Sequence, residues 1–134
     1  MTVKYDVLGI GNAIMDIIAP VPDAFLTEHS MTKGGMALID QDTALSINKA
    51  LSEAAKTTEI AGGSAANTLV GIAQMGVRAA YIGKVGQDAV GKRLADGFRD
   101  AGLSFDTAPS KSGNASARCM IAVTPDGQRT MNTF

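Results

Sequence analysis

The 134-residue sequence has no tryptophan, one cysteine, one histidine, and only 4% aromatic residues. A stacking platform for single-stranded nucleic acid is therefore not expected. The 12 basic and 13 acidic residues leave a net charge of −1. That balance gives no electrostatic case for nucleic acid or an anionic membrane as partner. With Cys119 alone there is no internal disulfide, and with His29 alone there is no Cys/His zinc site, so no bound metal is expected from spacing. No apolar run reaches the roughly 20 residues that span a bilayer. Lys4, Asp6 and Asp16 interrupt the N-terminal apolar stretch, so no signal peptide is visible. These absences imply a cytoplasmic chain of one domain, long enough to bury roughly two-thirds of its surface. Ser-His-Asp and P-loop patterns are also missing. Gly9-x-Gly11 lacks the third glycine of a dinucleotide fingerprint, and the β-branched Ile14, Ile17 and Ile18 favour a strand where that fingerprint needs a helix.

What is present centres on Gly62-Gly63-Ser64-Ala65-Ala66-Asn67. Paired glycines let a ligand approach the backbone closely, because no Cβ intervenes. Ser64 has the chemistry of an N-cap and Gly76 that of a C′ residue, so a helix is expected from Ser64 to about Met75. Asn67 stands where a capping box would have Glu or Gln, and its amide lies beside free N–H groups of the first turn. Two readings fit: a polar ligand held at the helix start, or a helix packed tightly on a sheet.

In chain order, Val3 to Ile10 reads as a strand buried on both faces. The segment from Ala13 to Ala19 reads as a second strand that puts Ile14, Asp16 and Ile18 on one face. A carboxylate between isoleucines is costly unless hydrogen-bond donors reach it, and its two oxygens suit the hydroxyls of a vicinal diol. The alternative is an edge strand with Asp16 in water. Met36 to Asp40 reads as a short strand. Asp40 or Asp42 can cap a helix from Thr43 to Ala55, with Ala44, Ile47, Leu51 and Ala54 as its stripe. Ala79 to Val85 reads as a buried strand. Asp88 can cap a helix with Val90, Leu94, Phe98 and Ala101 inward, ended by Gly102. Thr107 to Ala115 has loop composition. Ala117 to Thr124 and Gln128 to Phe134 read as a hairpin about Pro125-Asp126-Gly127. Arg118, near its start, either reaches a phosphate or is a solvated strand-end arginine. Apolar strands alternating with amphipathic helices argue for βαβ units, with the site at the carboxyl edge of the sheet.

The stretch Gly62 to Thr68, with Gly71, Ala73 and Met75-Gly76, resembles the first signature of the PfkB (ribokinase-like) family of sugar and nucleoside kinases. Gly9 to Asp16 is similar to that family's N-terminal substrate motif. The resemblance spans the chain, but family members are much longer, so the 134 residues look like the N-terminal part of such a kinase. It implies an α/β, ribokinase-like fold: a mostly parallel sheet flanked by helices, with a small β lid. The lid strands fall near 13–19, 36–40 and within 117–133. It implies ATP and Mg2+ as cofactors, their site largely outside this chain, and a small-molecule substrate, either a nucleoside or a sugar. Asn12, Asp16, Gly62, Gly63, Ser64 and Asn67 would hold that substrate, with Asp16 on the family's sugar-binding aspartate. Met36 would either face a bound base, its thioether adapting to planar groups, or serve ordinary packing.

Family ribokinases usually carry Lys where this chain has Ser64, and adenosine kinases carry Ser. The ending Arg129 to Phe134 also resembles bacterial adenosine-kinase-like members. The implied reaction is transfer of the γ-phosphoryl group of ATP to the 5′-hydroxyl of adenosine. A sugar kinase is the alternative within the family. A noncatalytic nucleoside- or sugar-binding module, or a piece that dimerises through the lid, are readings of another class. The family's second signature, with its catalytic aspartate and anion hole, has no counterpart: neither Asp42-Thr43-Ala44 nor Asp106-Thr107-Ala108 continues in its pattern. No catalytic residue is expected in this chain, and the chain alone is expected to be inactive.

Overall fold

The computed structural model describes residues 4–113 and 115–134. In chain order the described residues form β1 (Val7–Ile10), β2 (Ile14–Pro20), α1 (Asp23–Glu28), β3 (Met36–Leu38), α2 (Gln41–Ala54) and β4 (Thr58–Gly62). There follow α3 (Ser64–Gln74), β5 (Ala79–Ile82), α4 (Ala89–Asp100), β6 (Ala117–Val123) and β7 (Arg129–Thr133). Two compact units share the chain: residues up to Met15 with Ala61–Ala117, and Asp16–Ile60 with Arg118–Phe134. This is the expected α/β architecture. The expected strand start at Val3 and Asn114 of the 107–115 loop lie outside the described residues.

In the first unit β1 and β5 pair in parallel, from Val7↔Ala79 to Ile10↔Ile82, and a parallel bridge joins Ala80 to Ser104. Helix α3 packs on both strands. Gly9 permits that approach, since a Cβ there would stand 2.6 Å from Leu69 Cδ1. Of the expected α4 stripe, Val90, Leu94 and Phe98 are buried, Ala101 is instead the half-buried C-cap, and Gly102 follows with φ 91°. Phe98 joins Tyr81 and Phe105 in an aromatic cluster with ring centroids 5.0–5.8 Å apart. The expectation that β1 is buried on both faces is wrong. Leu8 is 62% and Ile10 77% exposed, because α3 covers only the face that carries Gly9. β5 is also shorter than expected and leaves Ile82 partly exposed.

The second unit carries a five-stranded sheet in the order β3-β7-β6-β2-β4. β3 runs parallel to β7, and β6 runs antiparallel to it through the expected turn, where the Gly127 N–H donates to Thr124 O at 2.8 Å. Asp40 caps α2 by accepting from the Thr43 N–H at 2.8 Å. Ala44, Ile47 and Leu51 turn inward onto Ala19, Phe25, Met120 and Ala122. Ala54, assigned to the same stripe, is exposed because the burial ends one turn earlier. β4 was not expected. Glu59 interrupts its apolar alternation, and three of its five residues are exposed, so it carries little hydrophobic signal.

Asp88 closes the first unit. One carboxylate oxygen accepts from the Gly91 N–H at 2.6 Å and from Ser116 Oγ at 2.8 Å, and the other from the Ser116 N–H at 2.8 Å. Ser116 Oγ in turn accepts from the buried Gly86 N–H at 2.9 Å. Gly91 is required here, because a Cβ would lie 2.3 Å from Gly86 O and 2.7 Å from Ser116 Oγ. Removing the carboxylate would strand three part-buried donors, each worth about 1–3 kcal/mol where water does not replace the lost partner. Asp88→Ala is therefore expected to lower unfolding free energy by about 2–4 kcal/mol in urea titration. A change below about 0.5 kcal/mol would show the network to be peripheral.

Candidate functional site

The carboxyl ends of β1 and β5 open into a cleft of about 390 Å³, lined by Ile10, Gly11, Asn12, Ile82, Gly83 and Lys84 among others. That edge of a parallel sheet is where loops and backbone groups converge without a strand to cover them. Asn12 is exposed in the connection from β1 to β2. Its carbonyl oxygen would stand 2.5 Å from a Cβ on Gly63, so two backbones touch where any other residue would separate them. Gly63 has φ 103° and ψ 130°, a conformation that L side chains rarely adopt.

Gly63, not Ser64, is the N-cap of α3, and no side chain caps that helix. The glycine takes the position because the turn needs its positive φ, and Ser64 becomes the first helical residue, exposed. Gly62 is buried at the end of β4. Asn67 is exposed on the first turn of α3, its N–H donating to Gly63 O at 2.9 Å. Asn12, Gly62, Gly63, Ser64 and Asn67 thus all belong to the first unit. Sequence reading missed two further features of this cleft. Lys84 Nζ donates to Ala108 O at 2.7 Å, which ties down a loop at the rim. Tyr81 Oη is buried without a hydrogen-bond partner, close to Gly11 and Gly83, and burial raises its pKa.

The burial of β2, which runs from the first unit into the second, alternates as the sequence implied. Met15, Ile17 and Ala19 are buried, and Ile14, Asp16 and Ile18 are half-buried on the other face. The pairings Met36↔Met131, Leu38↔Thr133 and Cys119↔Thr133 put these five side chains on one face of the sheet. Asp16 belongs with them: its charge opposes ionisation of Cys119, and Arg129, two residues before Met131, stabilises its own. Met36 is 73% and Leu38 87% exposed, an apolar surface next to a half-buried carboxylate. Thr133 Oγ1 donates to Cys119 Sγ at 3.3 Å, and burial, the largest effect, raises that thiol's pKa. Leu38, Cys119 and Thr133 carried no signal as single residues; only register groups them. Arg118 lies on β6 with Nε buried and unpartnered.

The family model described as pfkB family carbohydrate kinase matches residues 28–134. Adenosine kinase from Sinorhizobium meliloti superposes with a TM-score of 0.87 at 47% identity, covering 98% of this chain and 39% of that one. A probable sugar kinase from Rhizobium etli gives 0.87 at 41%, covering 99% and 39%. Probable fructokinase-6, chloroplastic, of Arabidopsis thaliana is 35% identical over 79 residues, which are 59% of this chain and 21% of that protein. The chain therefore spans well under half the length of these relatives.

Two measurements follow from the geometry. Gly63→Ala combines a disfavoured φ with a 2.5 Å approach to Asn12 O, and is expected to destabilise the chain by about 2 kcal/mol or more. Thermal or urea unfolding indistinguishable from the parent would mean that the turn relaxes freely. The second concerns Asp16. Burial raises its pKa above 3.8, against the pull of Arg129. The folded carboxyl therefore holds its proton more tightly than the unfolded one, so its contribution to stability falls as pH rises through and above about 3.8. Asp16→Asn should accordingly be more stable than the parent at pH 7, with the gap closing as pH drops below about 3.8. A gap that does not vary with pH would contradict the assignment of cost to the buried charge.

Proposed function

The chain belongs to the pfkB family of carbohydrate kinases, and from that premise we propose that it is the substrate-binding part of an ATP-dependent kinase of adenosine. The observation that carries this reading is the tight Gly63–Asn12 backbone turn beside the cleft. Asn12, Gly62, Gly63, Ser64 and Asn67 supply polar groups and closely approachable backbone for a ribose. Asp16 accepts from its vicinal hydroxyls, which offsets the cost of its burial. Met36, with Leu38 beside it on the same sheet face, offers an adaptable apolar surface to the base. Arg118 is kept as a phosphate contact on the strength of its unpartnered Nε. Preference for adenosine over a free sugar rests on Ser64 and on likeness to the Sinorhizobium meliloti adenosine kinase. The likeness to a probable sugar kinase and a probable fructokinase supports the alternative, a sugar substrate.

Phosphoryl transfer works mainly by positioning and by stabilising charge on the transferred group. ATP with Mg2+ would supply the phosphoryl group. An acceptor base and an anion hole have no counterpart found in this sequence, so these residues contribute binding and orientation. Isothermal titration of the chain with adenosine, ribose and fructose 6-phosphate tests the assignment. Adenosine should bind best, and Asp16→Ala should weaken it by about 1.5–3 kcal/mol for each hydrogen bond lost. Stronger binding of either sugar would move the chain to the sugar kinases. Unaltered adenosine binding in Asp16→Ala would remove the carboxylate from the site. The chain alone, given ATP and adenosine, should form no AMP; turnover would reveal catalytic residues among those present.

A further inference from the structure

The cleft at the carboxyl ends of β1 and β5 holds a positive charge that no residue around it balances. Lys84 is exposed, and it is the one ionisable side chain among the residues that line the cleft. Among the described residues its partner is a neutral one, the carbonyl oxygen of Ala108, which accepts from Nζ at 2.7 Å. An ammonium carries three donors, so two remain for a partner from outside the chain. Other lysines are neutralised where they stand: Lys33 by Asp23 and Asp126, and Lys92 by Asp96.

Stapling the neighbouring loop does not account for this charge. The loop is already held by its backbone, since the Ser110 N–H donates to Val85 O at 2.7 Å and a parallel bridge joins Gly86 to Ser110. A neutral amide or hydroxyl could also reach a carbonyl acceptor. What the lysine adds is charge, placed at a cleft whose walls include Ile10, Ile82 and Ala117. Apolar walls keep water away and strengthen an electrostatic contact made beside them. The remaining polar walls, Asn12 and Thr107, are neutral, and no carboxylate lines the cleft. An anion entering it therefore meets attraction without repulsion from the lining.

We propose that Lys84 contacts the phosphate of the phosphorylated product in this cleft, so that the chain binds the phosphate ester more tightly than the free alcohol. This rests on the reading of the chain as the substrate-binding part of a kinase, and it adds to that reading a residue and a charge preference. Asn12, assigned there to the ribose, lines the same cleft, so a 5′-phosphate on that sugar shares its walls with Lys84. Lysine suits the task as a compact charge whose donors need no fixed plane. The bond to Ala108 O orients the ammonium before a ligand arrives, which lowers the entropy lost on binding. Its backbone is steadied as well, because Gly86, two residues on, donates its N–H to Ser116 Oγ at 2.9 Å.

The test is isothermal titration of the full 134-residue chain with two pairs of probes, adenosine with AMP and ribose with ribose 5-phosphate. Within the pair that binds more tightly, the phosphate ester is expected to bind about tenfold better than its alcohol. Lys84→Met, which keeps an unbranched stem and removes the charge, should abolish that advantage, and Lys84→Arg should keep most of it. Lys92→Met, at a lysine outside this cleft, should leave the advantage intact. If Lys84→Met does not fold, the 15N-labelled parent decides: the better phosphate ester should shift the amides of Lys84, Thr107 and Ala108 in a saturable manner. Equal affinity for ester and alcohol would overturn the proposal, as would an advantage that survives in Lys84→Met or disappears in Lys92→Met. So would the absence of saturable binding by either ester, or shifts that leave those three amides unmoved. The two readings fail separately. Tighter binding of the ribose pair, with the ester still ahead, would remove adenosine and keep Lys84, whereas equal binding of adenosine and AMP would remove Lys84 and keep adenosine.

Discussion

The carboxylate of Asp88 is the fixed point of the first unit. It joins the start of α4 to the residue just before β6, two segments separated by 28 positions in sequence, and the Ser116 hydroxyl extends the connection to the buried Gly86 N–H. A half-buried carboxylate keeps its charge at low cost when donors replace the water it has lost, and here backbone N–H groups and a hydroxyl do so. The helix, the 85–91 turn and the strand start are consequently set against one another by directional bonds, where apolar packing alone would leave their register loose. The cleft borrows this rigidity. Gly83 and Lys84 on its rim run directly into Val85 and Gly86, so the rim is anchored one residue from the network.

A comparable constraint shapes the turn before α3, where the sequence was only partly legible. The glycine pair announced close backbone approach, and the structure supplies the object approached, the carbonyl of Asn12. Ser64 misled because a serine before an apolar run is the usual sign of a cap, yet a positive-φ glycine ahead of it already ends the extended chain. Periodicity found α2, α4 and β2 because each has one strongly apolar face. It missed β4, whose residues are mostly exposed. It also overstated the burial of β1, because an all-apolar strand reads the same whether one face or both are covered. Leu8, Ile10 and Ile82 show the difference, and two of them line the cleft, giving its rim an apolar character.

The candidate site residues divide along the same line. Asp16 was legible because a carboxylate among isoleucines contradicts its own strand. Cys119, Thr133 and Leu38 were not, since only the pairing of β3, β6 and β7 brings them onto its face. Asn132 was hidden for the opposite reason. In sequence it sits between Met131 and Thr133 like any polar residue of an alternating strand, and nothing marks its face as the inner one until β6 is aligned with β7.

The two sheet faces therefore carry unmet polar groups of different kinds. On one, burial makes the charge of Asp16 costly, while Arg129 supplies only a partial offset. On the other, Asn132 holds a neutral donor without a partner beside Met120 and Ala37. A fold selected for stability alone would place apolar residues at both positions, because each group is less favourable where it stands than in water. The sheet holds the two requirements apart by the alternation of its side chains, which lets one strand, β7, contribute Thr133 to the first face and Asn132 to the second.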